Sequence, residues 1–349
     1  MRSTEARVYV TPDEEGRYLP EGPQCGSIFE DKEVIGWVNI QTSVDSTFGT
    51  LHLHHPEDAW EDFKTNCPGR PGFFRHTDQR DSVLVGINKE LRVYSFFDNT
   101  WSEPLVTIPD DNPRTIINDG EVVPGGKAVV FGTKDTQFAD PIAALYLYTV
   151  DDNRVSLLAD KQLCSNGKVF RVEPRGLILF DIDTPTRKVV RYILDVNART
   201  ATPDGVALDL ADQVGFPDGM CDCGDGTVII AFYNPDYAVA GRAIRFDLAT
   251  RQAIETWTTP GSPRVTCPLL VQRPDGVKLI LTTATEGMPA EMRLRCPNAG
   301  CLFIADTEFA TCPAPELVRL RCSVAVEVAR DCVPRAVGLF AARWPGVAD

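Results

Sequence analysis

Ile117-Asn118-Asp119-Gly120 belongs to a set of short polar motifs that decide how this chain folds. Ser165-Asn166-Gly167 sets an asparagine 48 residues after Asn118, and Phe216-Pro217-Asp218-Gly219 sets an aspartate 52 residues after Asn166. Upstream, Leu19-Pro20-Glu21-Gly22-Pro23 puts Glu21 97 residues before Asn118, two steps of similar length. The skipped step falls near position 71, where Gly69-Arg70-Pro71-Gly72-Phe73 lies. One step beyond Asp218 reaches Val265-Thr266-Cys267-Pro268. Six marks with a period of roughly 50 residues match the length of a four-stranded propeller blade.

The sequence between the marks agrees. Short runs rich in Val, Ile, Leu, Phe and Tyr occupy residues 34–40, 82–87, 91–96, 128–131, 145–149, 177–182, 189–194, 227–233, 243–246 and 279–283. Turn formers separate them, and the 26 Gly and 26 Pro are dispersed along the chain. No amphipathic helix of a dozen residues stands out. The expectation is an all-β, six-bladed β-propeller over residues 1–318, with a central metal-binding channel. The marks themselves read as β-turns. From about Arg319 the strand-turn rhythm stops, so 319–349 is set apart as a non-propeller tail, an extra helix or a disordered extension.

Closing such a ring removes exposed sheet edges. It also brings residues at one phase of the repeat together on the axis. Glu21, Asn118, Asn166 and Asp218 share that phase. Two carboxylates and two amides offer only oxygen donors, which suit Ca²⁺, Mg²⁺ or Mn²⁺ better than zinc. A Gly-x-Ser-x-Gly nucleophile elbow is absent from the sequence.

The remaining chemistry is sparse. His52, His54 and His55 form a local cluster read as an exposed part of the first blade, with a two-histidine metal site as the alternative. His76, just after the second mark, is expected at the channel rim as a substrate contact. Tyr233, Asn234 and Trp257 are expected to line or flank the channel, with core packing as the default for the aromatics. The 11 Cys are irregularly spaced and read as small buried hydrophobes rather than zinc ligands.

A net charge of −14 excludes a nucleic-acid partner and an anionic membrane surface. It fits a neutral or cationic ligand, or a bound cation, on a largely solvated acidic surface. The first residues carry charges and no apolar signal core, and no run is long enough to span a bilayer. The chain therefore reads as cytoplasmic, a monomer or weak dimer acting on a small molecule.

These motifs, with Phe131-Gly132-Thr133, residues 179–184 and 263–268, resemble the regucalcin (senescence marker protein), gluconolactonase and luciferin-regenerating-enzyme family. The resemblance spans residues 18–306. It implies a six-bladed propeller with one divalent metal in the channel, Ca²⁺ first and Zn²⁺, Mg²⁺ or Mn²⁺ as alternatives. Glu21, Asn166 and Asp218 match its direct metal ligands. Asn118 matches a fourth ligand or substrate contact, and Asp218 the catalytic base. Asp183 matches a polar position near the axis, read here as a structural hydrogen-bonding group. The implied activity is metal-dependent hydrolysis of a lactone, most simply a sugar lactone. A related propeller esterase or phosphotriesterase, or a non-catalytic calcium-binding propeller, are the alternatives. One position departs: Ile116 stands where the family's sugar lactonases carry Arg, and Glu121 where a Lys commonly follows. Arg114, four residues before Asn118, is the nearest replacement for substrate binding.

Overall fold

The computed structural model describes residues 2–28, 32–56, 62–79 and 81–321. Six antiparallel sheets follow one another in chain order. Blade I holds Pro20–Ile28, Lys32–Asn39, Thr50–His54 and Phe63–Asn66. Blade II begins with Pro71–His76, Ser82–Ile87 and Glu90–Ser95, whose outer edge pairs with the short strands Thr100–Trp101 and Val106–Thr107. Blade III holds Thr115–Val122, Ala128–Asp135, Ala143–Thr149 and Arg154–Gln162. Blade IV holds Ser165–Glu173, Gly176–Asp183, Lys188–Asp195 and Thr200–Asp209. Blade V holds Phe216–Asp222, Thr227–Tyr233, Ala240–Asp247 and Ala253–Pro260. Blade VI holds Val265–Arg273, Gly276–Thr283 and Leu302–Asp306, and its outer strand is the N-terminal Arg7–Val10.

The six-bladed propeller is as expected, and the N-terminus locks it. Arg7–Val10 completes the last blade, while Arg2–Glu5 adds a parallel fifth strand to blade V, with Arg2 opposite Glu255 and Glu5 opposite Thr258. The first strand of each blade touches the first strands of both neighbours, so six inner strands close a ring around the axis.

Strand alternation builds the core between blades. Successive residues point to opposite faces of a sheet. In blade II, Phe73 and Leu84 pack toward Ile117, Val129 and Phe131 of blade III. Their neighbours Phe74, Val83 and Val85 pack toward Val38 and Leu51 of blade I. The same exchange fills the other four seams. Both faces of each sheet are thus buried, which explains the near-continuous apolar runs in the sequence.

The polar marks are not turns between strands. Each lies within an inner strand, at a register shift against the second strand: Glu21/Gln24, Pro71/Phe73, Ile117/Asp119, Asn166/Lys168, Pro217/Met220 and Val265/Pro268. A bulge bends the strand and re-aims a side chain, here toward the axis. The glycines beside the bulges serve close packing. A Cβ on Gly167 would lie 2.8 Å from the carbonyl oxygen of Asp218, and one on Gly72 2.5 Å from that of Ile117.

Residues 307–321 cross the face opposite the start of the inner strands. Val318 pairs in parallel with Thr77, the Arg319 N–H donates to the Gly126 carbonyl at 2.8 Å, and Leu320 is buried. The expected tail after residue 318 is described only to Arg321, where it is docked on the propeller; the rest lies outside the described residues.

Candidate functional site

Glu21, Asn118, Asn166 and Asp218 line one cavity of about 580 Å³ at the end of the channel where the inner strands begin. Four bulged strands from four blades contribute one residue each, and none of the strands could assemble the set alone.

Hydrogen bonds fix each member. The Asn118 side-chain amide donates to the Ser165 carbonyl at 3.0 Å and to Asn166 Oδ1 at 2.8 Å. Asn166 Nδ2 donates to Thr184 Oγ1 at 2.8 Å, and that hydroxyl donates to the Pro217 carbonyl at 2.9 Å, tying blade IV to the strand that carries Asp218. The buried Lys168 ammonium donates to the Asn166 carbonyl at 2.9 Å and pairs with the buried Asp181 at 3.5 Å. Asp183 accepts the N–H groups of Leu163 and Cys164 at 3.1 and 3.0 Å, holding the approach to Asn166. Before Glu21, the Pro20 carbonyl accepts the Thr266 hydroxyl at 2.7 Å, across the seam where the ring closes.

The electrostatics are one-sided. Burial, then the facing Asp218 and Asp119 carboxylates, push Glu21 well above the usual carboxylate range. Burial, then Asp119, does the same to Asp218. In both cases the Lys134 ammonium pulls the other way. Lys134 lies more than an ion-pair distance from either carboxylate, and neither has a hydrogen-bond partner among the described residues. Buried charges of one sign left unpaired are strongly unfavourable. A cation between them removes the penalty. Both amide NH₂ groups are occupied by protein acceptors, so Asn118 Oδ1 and the second lone pair of Asn166 Oδ1, which already accepts from Asn118, are left to ligate. Two carboxylates with neutral oxygens suit a hard divalent ion. The residues present therefore fit the divalent metal that the resemblance implies.

Two expected substrate contacts lie elsewhere. His76 stands at the far end of the Pro71–His76 strand, packed against Gly26 and buried, with burial holding its imidazole down at about 4. Its place near the second mark suggested the rim, yet about 3.3 Å per residue carries it some 16 Å along the axis from Pro71. Arg114 lies outside the cavity lining. Its guanidinium makes a two-pronged pair with the buried Asp135, Nε to Oδ1 at 3.0 Å, and also meets Asp140 at 2.8 Å. Asp135 also accepts the N–H groups of Gln137, Ala139 and Asp140. Arg114 thus braces a loop rather than facing the axis.

Of the other expectations, Tyr233 lines the cavity and donates its hydroxyl to the Glu286 carbonyl at 3.1 Å. Asn234 does not line it, and Trp257 is sealed in the seam between blades V and VI. His52 is buried, stacked on Trp37 at 4.9 Å and bonded to Thr50 Oγ1 at 2.7 Å; His54 pairs with Asp62 at 2.7 Å. The histidine cluster is therefore mostly packed, not exposed. Sequence reasoning missed Lys134, Cys164, Arg264 and Glu286, all lining the cavity. Lys134 and Glu286 lie off the inner strands, so the repeat phase carried no signal for them.

Comparison with known proteins follows the same lines. The SMP-30/Gluconolactonase/LRE-like region matches residues 19–285. A Bacillus subtilis protein provisionally named a sugar lactone lactonase, YvrE, is 28% identical over 294 residues, covering 83% of this chain and 91% of that one. Regucalcin of Xenopus laevis is 27% identical over 227 residues, 60% of this chain and 73% of its own. Among solved structures, a calcium-binding regucalcin from Agrobacterium tumefaciens superposes with a TM-score of 0.75 at 20% identity, covering 92% of this chain and all (100%) of that one. A luciferin-regenerating enzyme superposes at 0.74 and 18% identity, over 90% of this chain and 100% of that one. At these identities the superpositions bear on the fold alone. No helix among the described residues is long and apolar enough to cross a membrane.

Proposed function

The chain belongs to the SMP-30/gluconolactonase/LRE-like family, and on that premise we propose that it is a metal-dependent hydrolase that opens a lactone. The observation that carries the reading is the pair of unpaired carboxylates, the half-buried Glu21 and the buried Asp218, beside two amides in an axial cavity. A divalent cation, Ca²⁺ first, held by Glu21, Asn166 and Asp218 with Asn118 as fourth ligand or substrate contact, would polarise the lactone carbonyl and stabilise negative charge on its oxygen.

The chain's own groups supply the rest. Asp218 takes the proton of the attacking water as general base. The water oxygen bonds to the carbonyl carbon, the ring C–O bond breaks, and the proton passes to the departing alkoxide. Asn118, its NH₂ group fixed by Ser165 and Asn166, is left with its amide oxygen as the atom to meet the substrate or the ion.

A non-catalytic calcium-binding propeller is the second reading, favoured by one observation. Ile116, where an arginine was expected, is buried with Leu19, Ile40 and Ala284, so that position offers no polar contact to a substrate. The test is to measure bound metal, then assay a lactone panel with the wild type and Asp218→Ala. Metal-dependent turnover lost in the variant supports the hydrolase. Full turnover by the variant, or metal bound without turnover of any lactone, rejects it.

A further inference from the structure

The loop that Arg114 braces carries Phe138, which has φ of +50° and a side chain that is still 49% exposed. A bulky residue in the left-handed region is a backbone outlier, held only where its surroundings over-determine it. They do so here. Asp135 anchors the loop through three backbone N–H groups and the Arg114 guanidinium. The Phe138 N–H donates to the Asp135 carbonyl at 3.0 Å. The Lys134 ammonium sits 5.8 Å from the Phe138 ring centre, and both line the axial cavity. The fold thus holds an aromatic ring, at a conformational cost, over the mouth of the site.

The ring has apolar company. Leu19, Leu163, Pro185, Phe216 and Pro235 line the same cavity. Phe216 is itself 37% exposed, with the Arg187 guanidinium 5.0 Å from its ring centre. The four oxygen-bearing side chains Glu21, Asn118, Asn166 and Asp218 form the floor. Lys134, Thr136, Thr184, Arg264 and Glu286 add polar groups to the lining, but the hydroxyls of a polyhydroxylated ring turned toward Leu19, Leu163, Pro185, Phe216 and Pro235 would lack partners, a desolvation loss at each one. A cavity of about 580 Å³ has room beyond a small ring.

We propose that the substrate is a lactone bearing an apolar substituent, its ring carbonyl toward the Glu21–Asp218 floor and its substituent among Phe138, Phe216 and Leu163. This rests on the hydrolase reading above and names its substrate class. It also gives Arg114 a role, as a positioning residue that acts through Asp135 and the Phe138 loop.

The test uses the metal-loaded full chain. The ratio kcat/KM is measured for glucono-δ-lactone and for δ-lactones with ring substituents from methyl to hexyl. The expected result is a rise of about threefold per added methylene, the selectivity that apolar burial yields. Phe138→Gly should keep its Tm at or above that of the wild type, since glycine adopts positive φ freely. It should still lower the hexyl-over-methyl preference about tenfold or more. A preference for gluconolactone, or a chain-length dependence untouched by Phe138→Gly, overturns the apolar-substrate inference and leaves the hydrolase reading standing. Turnover of no lactone in either class overturns both.

Discussion

Replacing Asp218 by Asn should move stability in opposite directions with and without metal. Asp218 is 7% exposed and faces a second carboxylate with no hydrogen bond to offset its burial. An unsatisfied buried polar group costs about 1–3 kcal/mol, and a charged one more. Asparagine keeps the shape and removes the charge, so the metal-free variant should gain on the order of 2 kcal/mol. Unfolding entropy of about 2.1 cal/mol/K per residue across 349 residues turns that into a Tm rise of about 3 °C. Calcium at a hundred times its Kd should stabilise the wild type by about 2.7 kcal/mol, a rise of about 4 °C. Losing one of two charged ligands weakens that binding on the order of a hundredfold, leaving the variant a calcium shift under about 1 °C. Scanning calorimetry in chelator and in calcium checks both arms. A metal-free variant that melts below the wild type, or one that keeps the full calcium shift, would refute the account of Asp218 as an uncompensated ligand.

Three further outcomes follow from the same geometry. Arg114→Ala removes the brace on the 135–140 loop, and kcat/KM should fall about tenfold through misplacement of Phe138 while metal affinity, read by titration calorimetry, stays unchanged. Gly167→Ala drives a Cβ to 2.6 Å from the Met220 Cβ and 2.8 Å from the Asp218 carbonyl oxygen, which should cost about 2 kcal/mol in denaturant unfolding and weaken metal binding. Burial, and then Lys64, hold His52 at about 4, below its ordinary value, so the unfolded chain protonates first as pH falls. Wild-type stability is therefore lost between pH 6.5 and 4. The wild-type advantage over His52→Gln should shrink by about 2–3 kcal/mol across that window in denaturant titrations, and a constant difference would contradict a neutral buried imidazole.

The sequence carried the fold because the propeller repeats its chemistry. A bulge recurs at the same place in every inner strand, and in four of them it carries Glu21, Asn118, Asn166 or Asp218, so these residues announced themselves by period. Period alone did not reveal what the motif does. Asn-Asp-Gly and Pro-Asp-Gly are turn sequences in most chains. Here the bulge needs their backbone, and the packed neighbour strand needs the glycine. Period also misled at His76, which is near a mark in number but most of a strand length away in space. Lys134 and Phe138 left no such trace. They belong to the end of a second strand and to a loop whose path depends on Asp135, a contact that forms only in the folded blade.

The floor and the walls of the site therefore have different origins. Each floor residue comes from an inner strand wedged between two others, where Gly72 and Gly167 leave no room for a methyl group. A change there disturbs the ring itself. The walls come from strand ends and loops around Phe138, Leu163, Pro185 and Pro235, whose replacement leaves the seams intact. Ile116 shows the two meeting. It sits on an inner strand two residues from Asn118, yet it joins Leu19 and Ile40 in an apolar cluster beside the cavity rather than presenting a charge to it. An arginine brought there by substitution alone would enter that apolar cluster. The apolar part of the wall at Leu19 is thus built into the packing behind it, in a different layer from the four axial residues.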